Sequence, residues 1–243
     1  MRFRFFGKEI EIRKHKIIRF IDQQKVIFIH PPKSGGTSIT TALRKKYVSE
    51  FILNNEASLV CSSNGEIDWD KTNSVRNMLL EYNATIGKGF ISGHFSGINP
   101  IHFQLKGYKV MTVLRDPVDA FISKYFFTGQ EQELSDFLNS EKAIAWGTDL
   151  VNRFGNIEGG SNEEKLEKAK AELSKFDYVG KIEDINGLQE WLKSVGKNIR
   201  VNRLNVSKNR RVLDAEFVDQ IESLCYFDIL LYKSISFYSE CER

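Results

Sequence analysis

Apolar positions along the chain fall into two recurring patterns. Val26-Ile27-Phe28-Ile29 is a short β-branched and aromatic run, the kind shown by a strand buried on both faces. It stops at Pro31-Pro32, passes Gly35-Gly36, and opens a segment with Ile39, Leu43 and Tyr47 at i, i+4 and i+8, one face of a helix. The same order recurs downstream. Tyr108–Leu114 predicts a strand, Arg115-Asp116-Pro117 a turn, and Val118–Phe127 an amphipathic helix with the proline near its first turn. Gly89–Ser92 predicts a weaker strand leading into Gly93-His94. Ser161-Asn162-Glu163-Glu164 reads as a capping box for a helix to about Lys175. Phe176–Ile182 predicts a strand, Ile185–Val195 a helix closed by Gly196, and Asp214 to about Tyr238 a helix broken once. Strands alternating with helices predict an α/β fold with a central, mostly parallel sheet flanked by helices. In such sheets ligands bind beyond the carboxyl ends of the strands, where both turns would lie.

The chain has 243 residues and carries no internal repeat, low-complexity tract or linker, so it reads as one domain, 1–243, with a basic extension over 1–24. Apolar residues at 41% and charged residues at 28% exclude wholesale disorder and a fibrous repeat. Lys+Arg 35 against Asp+Glu 32 leaves a net charge of +3, too balanced to make nucleic acid the expected partner. Cys61, Cys225 and Cys241 form no CxxC pair and are expected as reduced thiols. No Cys/His cluster has zinc spacing, so no metal is expected. No apolar run reaches the roughly 18–20 residues of a membrane helix, and Glu9 and Glu11 interrupt the basic amino terminus. A cytoplasmic protein without a transmembrane segment is the expectation.

The segment His30-Pro-Pro-Lys-Ser-Gly-Gly-Thr-Ser38 follows a strand and opens a helix. Its glycines let consecutive N–H groups converge on one point, and the new helix adds unpaired amides and the positive end of its dipole. Lys33 supplies a full charge, Thr37 and Ser38 hydroxyl donors. This composition suits a phosphate. It is not the nucleotide P-loop, which needs Gly-Lys directly before Ser/Thr; Gly36 stands in the lysine's place. Read alone, the segment is also compatible with a tight βα turn bearing a solvated lysine.

Pro32-Lys33-Ser34-Gly35-Gly36-Thr37-Ser38 resembles the PKxGGTS form of the 5′-phosphosulfate loop of sulfotransferases that use PAPS (3′-phosphoadenosine 5′-phosphosulfate). Val113-Leu114-Arg115-Asp116-Pro117, followed by Ser123 and Tyr125, resembles the family's second motif, RDPxxRxxSxY. The nearest likeness is to the carbohydrate sulfotransferases of heparan and uronyl 2-O type. It covers residues 25 to 127 well and the rest loosely, through Asp228-Ile-Leu-Leu-Tyr232. The resemblance implies a P-loop-like three-layer fold and PAPS as cosubstrate. It implies that Lys33, Ser34, Gly35, Gly36, Thr37 and Ser38 hold the 5′-phosphosulfate, and Arg115 and Ser123 the 3′-phosphate. An arginine fork at a strand end suits phosphate oxygens, although on the dipeptide alone Arg115 could simply pair with Asp116. The family's second arginine is Ala120 here. A replacement could come from the acid-free run Lys197, Arg200, Arg203, Lys208, Arg210 and Arg211, which reads equally as a solvated surface.

Sulfuryl transfer to an alcohol needs a base for the hydroxyl proton and positive charge on the departing oxygen. Lys33 fits the second role. Among His15, His30, His94 and His102, His94 stands just past a predicted strand at the edge of the two turns, and is the candidate base. The related 2-O-sulfotransferases carry His-Gly-His at the matching place; His94 matches the second histidine and Ser92 replaces the first. His94 could also be a structural donor, and His30 is expected to prop the loop. Phe95, Phe103, Tyr125, Phe126 and Trp146 could form a sugar platform or belong to the core. Three functions stay open: transfer from PAPS to a carbohydrate or other hydroxyl acceptor, ATP-dependent phosphoryl transfer on a P-loop-type site, and non-catalytic binding of an anionic glycan.

Overall fold

The computed structural model describes residues 24–129, 132–202 and 213–236, together with the backbone of Arg2–Phe5 and Lys8–Glu11. Those last two segments form strands β1 and β2 of an antiparallel hairpin. The central sheet holds β3 (Lys25–Ile29), β4 (Glu50–Ile52), β5 (Phe90–Gly93), β6 (Tyr108–Leu114) and β7 (Tyr178–Lys181) in the order β4-β5-β3-β6-β7. Every neighbouring pair in it is parallel. The helices are α1 (Gly36–Arg44), α2 (Trp69–Thr85), α3 (Pro100–Leu105), α4 (Pro117–Thr128), α5 (Leu134–Leu138) and α6 (Glu141–Gly147). They continue with α7 (Asp149–Gly155), α8 (Asn162–Leu173), α9 (Ile185–Ser194), α10 (Ala215–Leu224) and α11 (Tyr226–Lys233).

The two-residue period of β3 sorts its side chains onto two cores. Val26 and Phe28 pack with Ile39 and Leu43 of α1 and with Leu188 and Leu192 of α9. Ile27 and Ile29 pack on the other face with Leu80 of α2 and Phe103 of α3. Because both faces are covered, the strand is apolar throughout rather than alternating. Two further clusters close the carboxyl side of β6. Leu114 meets α7, α8 and α11, while Phe121 and Tyr125 of α4 meet Phe137 of α5 and Ile221 of α10.

The expected α/β architecture with a parallel sheet flanked by helices is therefore the architecture found. Both halves of the capping box at Ser161 and Glu164 form, and α9 ends before Gly196 at φ 78°. The final helical stretch breaks at Cys225, between α10 and α11. Among the described residues no helix is long and apolar enough to cross a membrane.

Candidate functional site

Strand register brings the turns together. Ile29 lies opposite Gly93 of β5 and Thr112 of β6, and β6 runs two residues further to Leu114, opposite Lys181 of β7. His30, His94, Arg115 and Ile182 therefore leave the sheet along one edge.

The turn after β3 is held in an unusual backbone. Lys33 (φ 66°) and Gly35 (φ 75°) both occupy the left-handed region, which a lysine adopts only where its surroundings compel it. Helix α1 starts at Gly36 with no side-chain cap; Ser38 N and Ile39 N donate to the Gly35 carbonyl, which leaves the amides of Gly36 and Thr37 for another acceptor. Gly36 has no room for a side chain. A Cβ there would stand 2.2–2.8 Å from three atoms of the His30 imidazole, which supports the turn from below. Thr37 is exposed, Ser38 half-buried and Ser34 buried. The Lys33 ammonium rests 3.6 Å from the centroid of Phe127, and burial, then Arg115, push its pKa down.

The second turn is joined to the first. Asp116 caps α4 by accepting from Asp119 N at 3.0 Å, which leaves Arg115 to reach elsewhere. Its Nη1 donates to the Lys33 carbonyl and its Nη2 meets Asp119, each at 3.4 Å. Asp119, Ser123 and Phe127 are spaced i, i+4, i+8 on α4, so half-buried Ser123 lies between the residue that meets Arg115 and the ring that meets Lys33.

His94 occupies the next position along the edge. Its Nδ1 lies 2.6 Å from the His30 carbonyl oxygen. A carbonyl only accepts, so Nδ1 carries the proton and Nε2 keeps its lone pair. Burial, with Arg153 and Arg76 adding to it, lowers the pKa of His94 to about 4, so the ring is neutral at pH 7. His30 packs against it edge to face at 4.5 Å between centroids and is itself held neutral by burial.

A shallow cleft opens beside the first turn, between Pro31, Pro32 and Ser34 on one side and Lys124, Trp146 and Asp149 on the other. Ala120 and Lys124 face it from successive turns of α4. The Lys124 ammonium sits 4.3 Å from the Trp146 centroid, and burial lowers its pKa. Asp149 is gripped by Arg153 at 3.0 Å, and Asp228 accepts from Leu150 N and Val151 N at 2.8 and 2.9 Å, capping α7. The strand-and-turn pattern does not single out Lys124, Asp149 or Arg153; the only signal was the i, i+4 spacing of an acid and an arginine.

Other expected residues lie elsewhere. Lys197 is buried, its ammonium 4.2 Å from the ring of Tyr47, whose hydroxyl bonds Gln24 O at the opposite end of β3. It therefore cannot stand in for the arginine absent at Ala120. Arg203, Lys208, Arg210 and Arg211 lie outside the described residues. Phe95, Phe103 and Tyr125 are core, and of the aromatic set only Trp146 lines the cleft.

No protein-family model matches the chain, and no curated protein matches it. Among solved structures, it is similar to mouse sulfotransferase SULT7A1 complexed with PAP, at 12% identity and a TM-score of 0.38 over 97% of this chain and 78% of that one. It is similar to a sulfotransferase from Alicyclobacillus acidocaldarius, at 10% identity and 0.43 over 90% and 99%. A structure from the PezAT toxin–antitoxin system of Streptococcus pneumoniae is similar at 13% identity and 0.37, over 90% and 93%.

Proposed function

We propose that the chain is a PAPS-dependent sulfotransferase that transfers the sulfuryl group to a hydroxyl of a carbohydrate or other alcohol. The observation that carries this reading is the joining of the two turns. Arg115 bonds the backbone of Lys33, so an uncapped helix start and an arginine fork share one sheet edge. A nucleotide that is anionic at both its 5′ and 3′ ends suits that pair of sites.

In this reading the amides of Gly35 to Ser38 and Lys33 hold the 5′ end, and Arg115 and Ser123 hold the 3′-phosphate. The acceptor enters the cleft lined by Pro31, Pro32, Lys124 and Trp146. Nε2 of His94 takes the proton of the acceptor hydroxyl as its oxygen bonds sulfur. The sulfur–oxygen bond to the phosphate breaks, and its electron pair leaves with the nucleotide, where Lys33 offsets the charge. Lys33 leaves Phe127 to do so. A neutral histidine whose other nitrogen is tied to a carbonyl is competent as that base. No step requires a metal.

Phosphoryl transfer from ATP is less well supported. The nucleotide P-loop needs lysine directly before Thr37, and the His30 ring excludes any side chain at Gly36.

The test is thermal melting with PAP, the desulfated product. A ligand at a hundred times its Kd stabilises by ~2.7 kcal/mol, which at this chain length raises Tm by about 5–10 °C. Lys33→Ala and Arg115→Ala remove most of that rise, and ATP with Mg²⁺ does not reproduce it. An unmoved melting curve at millimolar PAP contradicts the reading; salt-sensitive glycan binding without a PAP effect would replace it with a binding module.

A further inference from the structure

We propose that Arg153 is a positioning residue of this site: its guanidinium ties the segment that carries His94 to the helix that carries Asp149, so that base and cleft carboxylate are held as one unit. The inference rests on the sulfotransferase reading and adds a residue that lies outside both phosphate-binding turns.

The geometry is that of a clamp. Arg153 stands one helical turn after Asp149 on α7, and its Nη2 lies 3.0 and 3.3 Å from the two carboxylate oxygens, with Nε at 3.4 Å. The same guanidinium reaches off the helix. Its Nη1 donates to the Phe95 carbonyl at 3.4 Å and to Ser96 Oγ at 3.2 Å, one and two residues past His94. The Arg153 carbonyl in turn accepts from Gly97 N at 3.1 Å. The approach is close enough that a Cβ on Gly97 would stand 2.4 Å from Asn156 Nδ2. Only 10% of the Arg153 side chain is exposed. An exposed i, i+4 pair does little beyond its own helix. Here a buried fork with five donors serves a carboxylate on its own helix and two oxygens on a neighbouring loop, which a lysine's point charge cannot do.

His94 is thus fixed from both ends, by the His30 carbonyl at Nδ1 and by Arg153 through the residues that follow it. The charged and titratable groups that act on its ring are His30 on the turn after β3, Arg76 on α2, and Asp149 and Arg153 on α7. Two cations against one carboxylate disfavour the imidazolium and reinforce the effect of burial. Burial pushes the Asp149 pKa up, but Arg153 and then Lys124 outweigh it and hold it below the usual value, so the cleft retains an ionised acceptor beside the base.

Imidazole ¹H–¹⁵N NMR across pH reads this directly, with PAP-induced melting shifts on the same samples. In the wild type His94 shows a single Nδ1–H tautomer and titrates near 4. In Arg153→Gln the tautomers mix and the titration rises by about a unit, since a cation has gone and Asp149 has lost its partner. Arg153→Lys retains the charge without the fork, so titration stays low while the tautomer loosens. The PAP shift stays close to that of the wild type in both, because neither phosphate turn is touched. An Arg153→Gln protein with wild-type tautomer and titration overturns the proposal. Should that variant not fold, Asp149→Asn weakens the helix arm of the clamp and Ser96→Ala removes one of its two loop contacts, and an unchanged His94 in both overturns it equally. A wild type unmoved by PAP would instead strike the sulfotransferase reading and leave the His94 result standing.

Discussion

Replacing Gly36 by alanine tests the cradle at its tightest point. The new Cβ would stand 2.2 Å from Cε1, 2.3 Å from Nδ1 and 2.8 Å from Nε2 of His30. Carbon atoms in contact settle at roughly 3.5–4.0 Å, so the ring or the turn must move by more than about 1 Å. The ring has little room to retreat, with Phe28 at 4.8 Å and His94 at 4.5 Å between centroids. Overpacking of this kind costs ~1–3 kcal/mol. At this length each kcal/mol is ~2–4 °C, so Tm falls by about 2–12 °C. Displacement of the turn also tilts the amides of Gly35 to Ser38, and the PAP-induced rise drops by more than half. His30→Ala is itself destabilising because it leaves a cavity, yet it removes the obstacle. The double variant is therefore more stable than the two single losses predict, by ~1–3 kcal/mol in a urea-denaturation cycle. Additivity within about 0.5 kcal/mol, with an unaltered PAP shift in Gly36→Ala, would refute the wedge of His30 beneath the turn.

His94→Ala keeps the PAP-induced melting shift and lowers transfer by ~10²–10⁴-fold, measured with radiolabelled PAPS on a panel of acceptors; undiminished transfer removes His94 from the chemistry. As pH falls, the unfolded chain takes up protons near 6.5 while buried His94 resists until about 4, and His30 resists in the same direction. Stability is therefore full above 6.5 and falls as pH drops from there to about 4. His94 alone accounts for roughly 3 kcal/mol of that loss. Urea denaturation at pH 7 and pH 4.5 checks it, and equal midpoints contradict the burial of neutral rings. Asp228→Ala leaves the Leu150 and Val151 amides unpaired inside the protein, at ~1–3 kcal/mol each. Its thermal melt falls accordingly, and an unchanged Tm would show that α7 does not depend on this cap.

The parts of the chain that were legible are those where one physical rule dominates. β3 and β6 are covered on both faces and so are apolar without interruption, and the turns after them are punctuated by proline and glycine. The capping box at Ser161 is local and formed as written. Helix α2 carries no legible apolar stripe because three of its buried positions, Thr72, Arg76 and Asn83, are polar. The far wall of the cleft was missed for another reason. Beyond Lys124 it is built from α6 and α7, each of seven residues, too short for a periodic signal. In the sequence Asp149 and Arg153 look like a surface pair; only the packing of α7 against the segment after His94 turns that pair inward. The cationic run misled in the opposite sense. The pattern offers Lys197 as a replacement for the missing arginine or as solvated surface, and it is instead packed on Tyr47 at the other end of the sheet.

On the proposed function, two turns on one sheet edge clasp a single nucleotide. A crystal structure with PAP tests it most directly. The expected density places the 5′-phosphate on the amides of Gly35 to Ser38, the 3′-phosphate between Arg115 and Ser123, and the Lys33 ammonium moved from Phe127 onto the ligand. Nucleotide bound elsewhere, or touching only one of the turns, would contradict it.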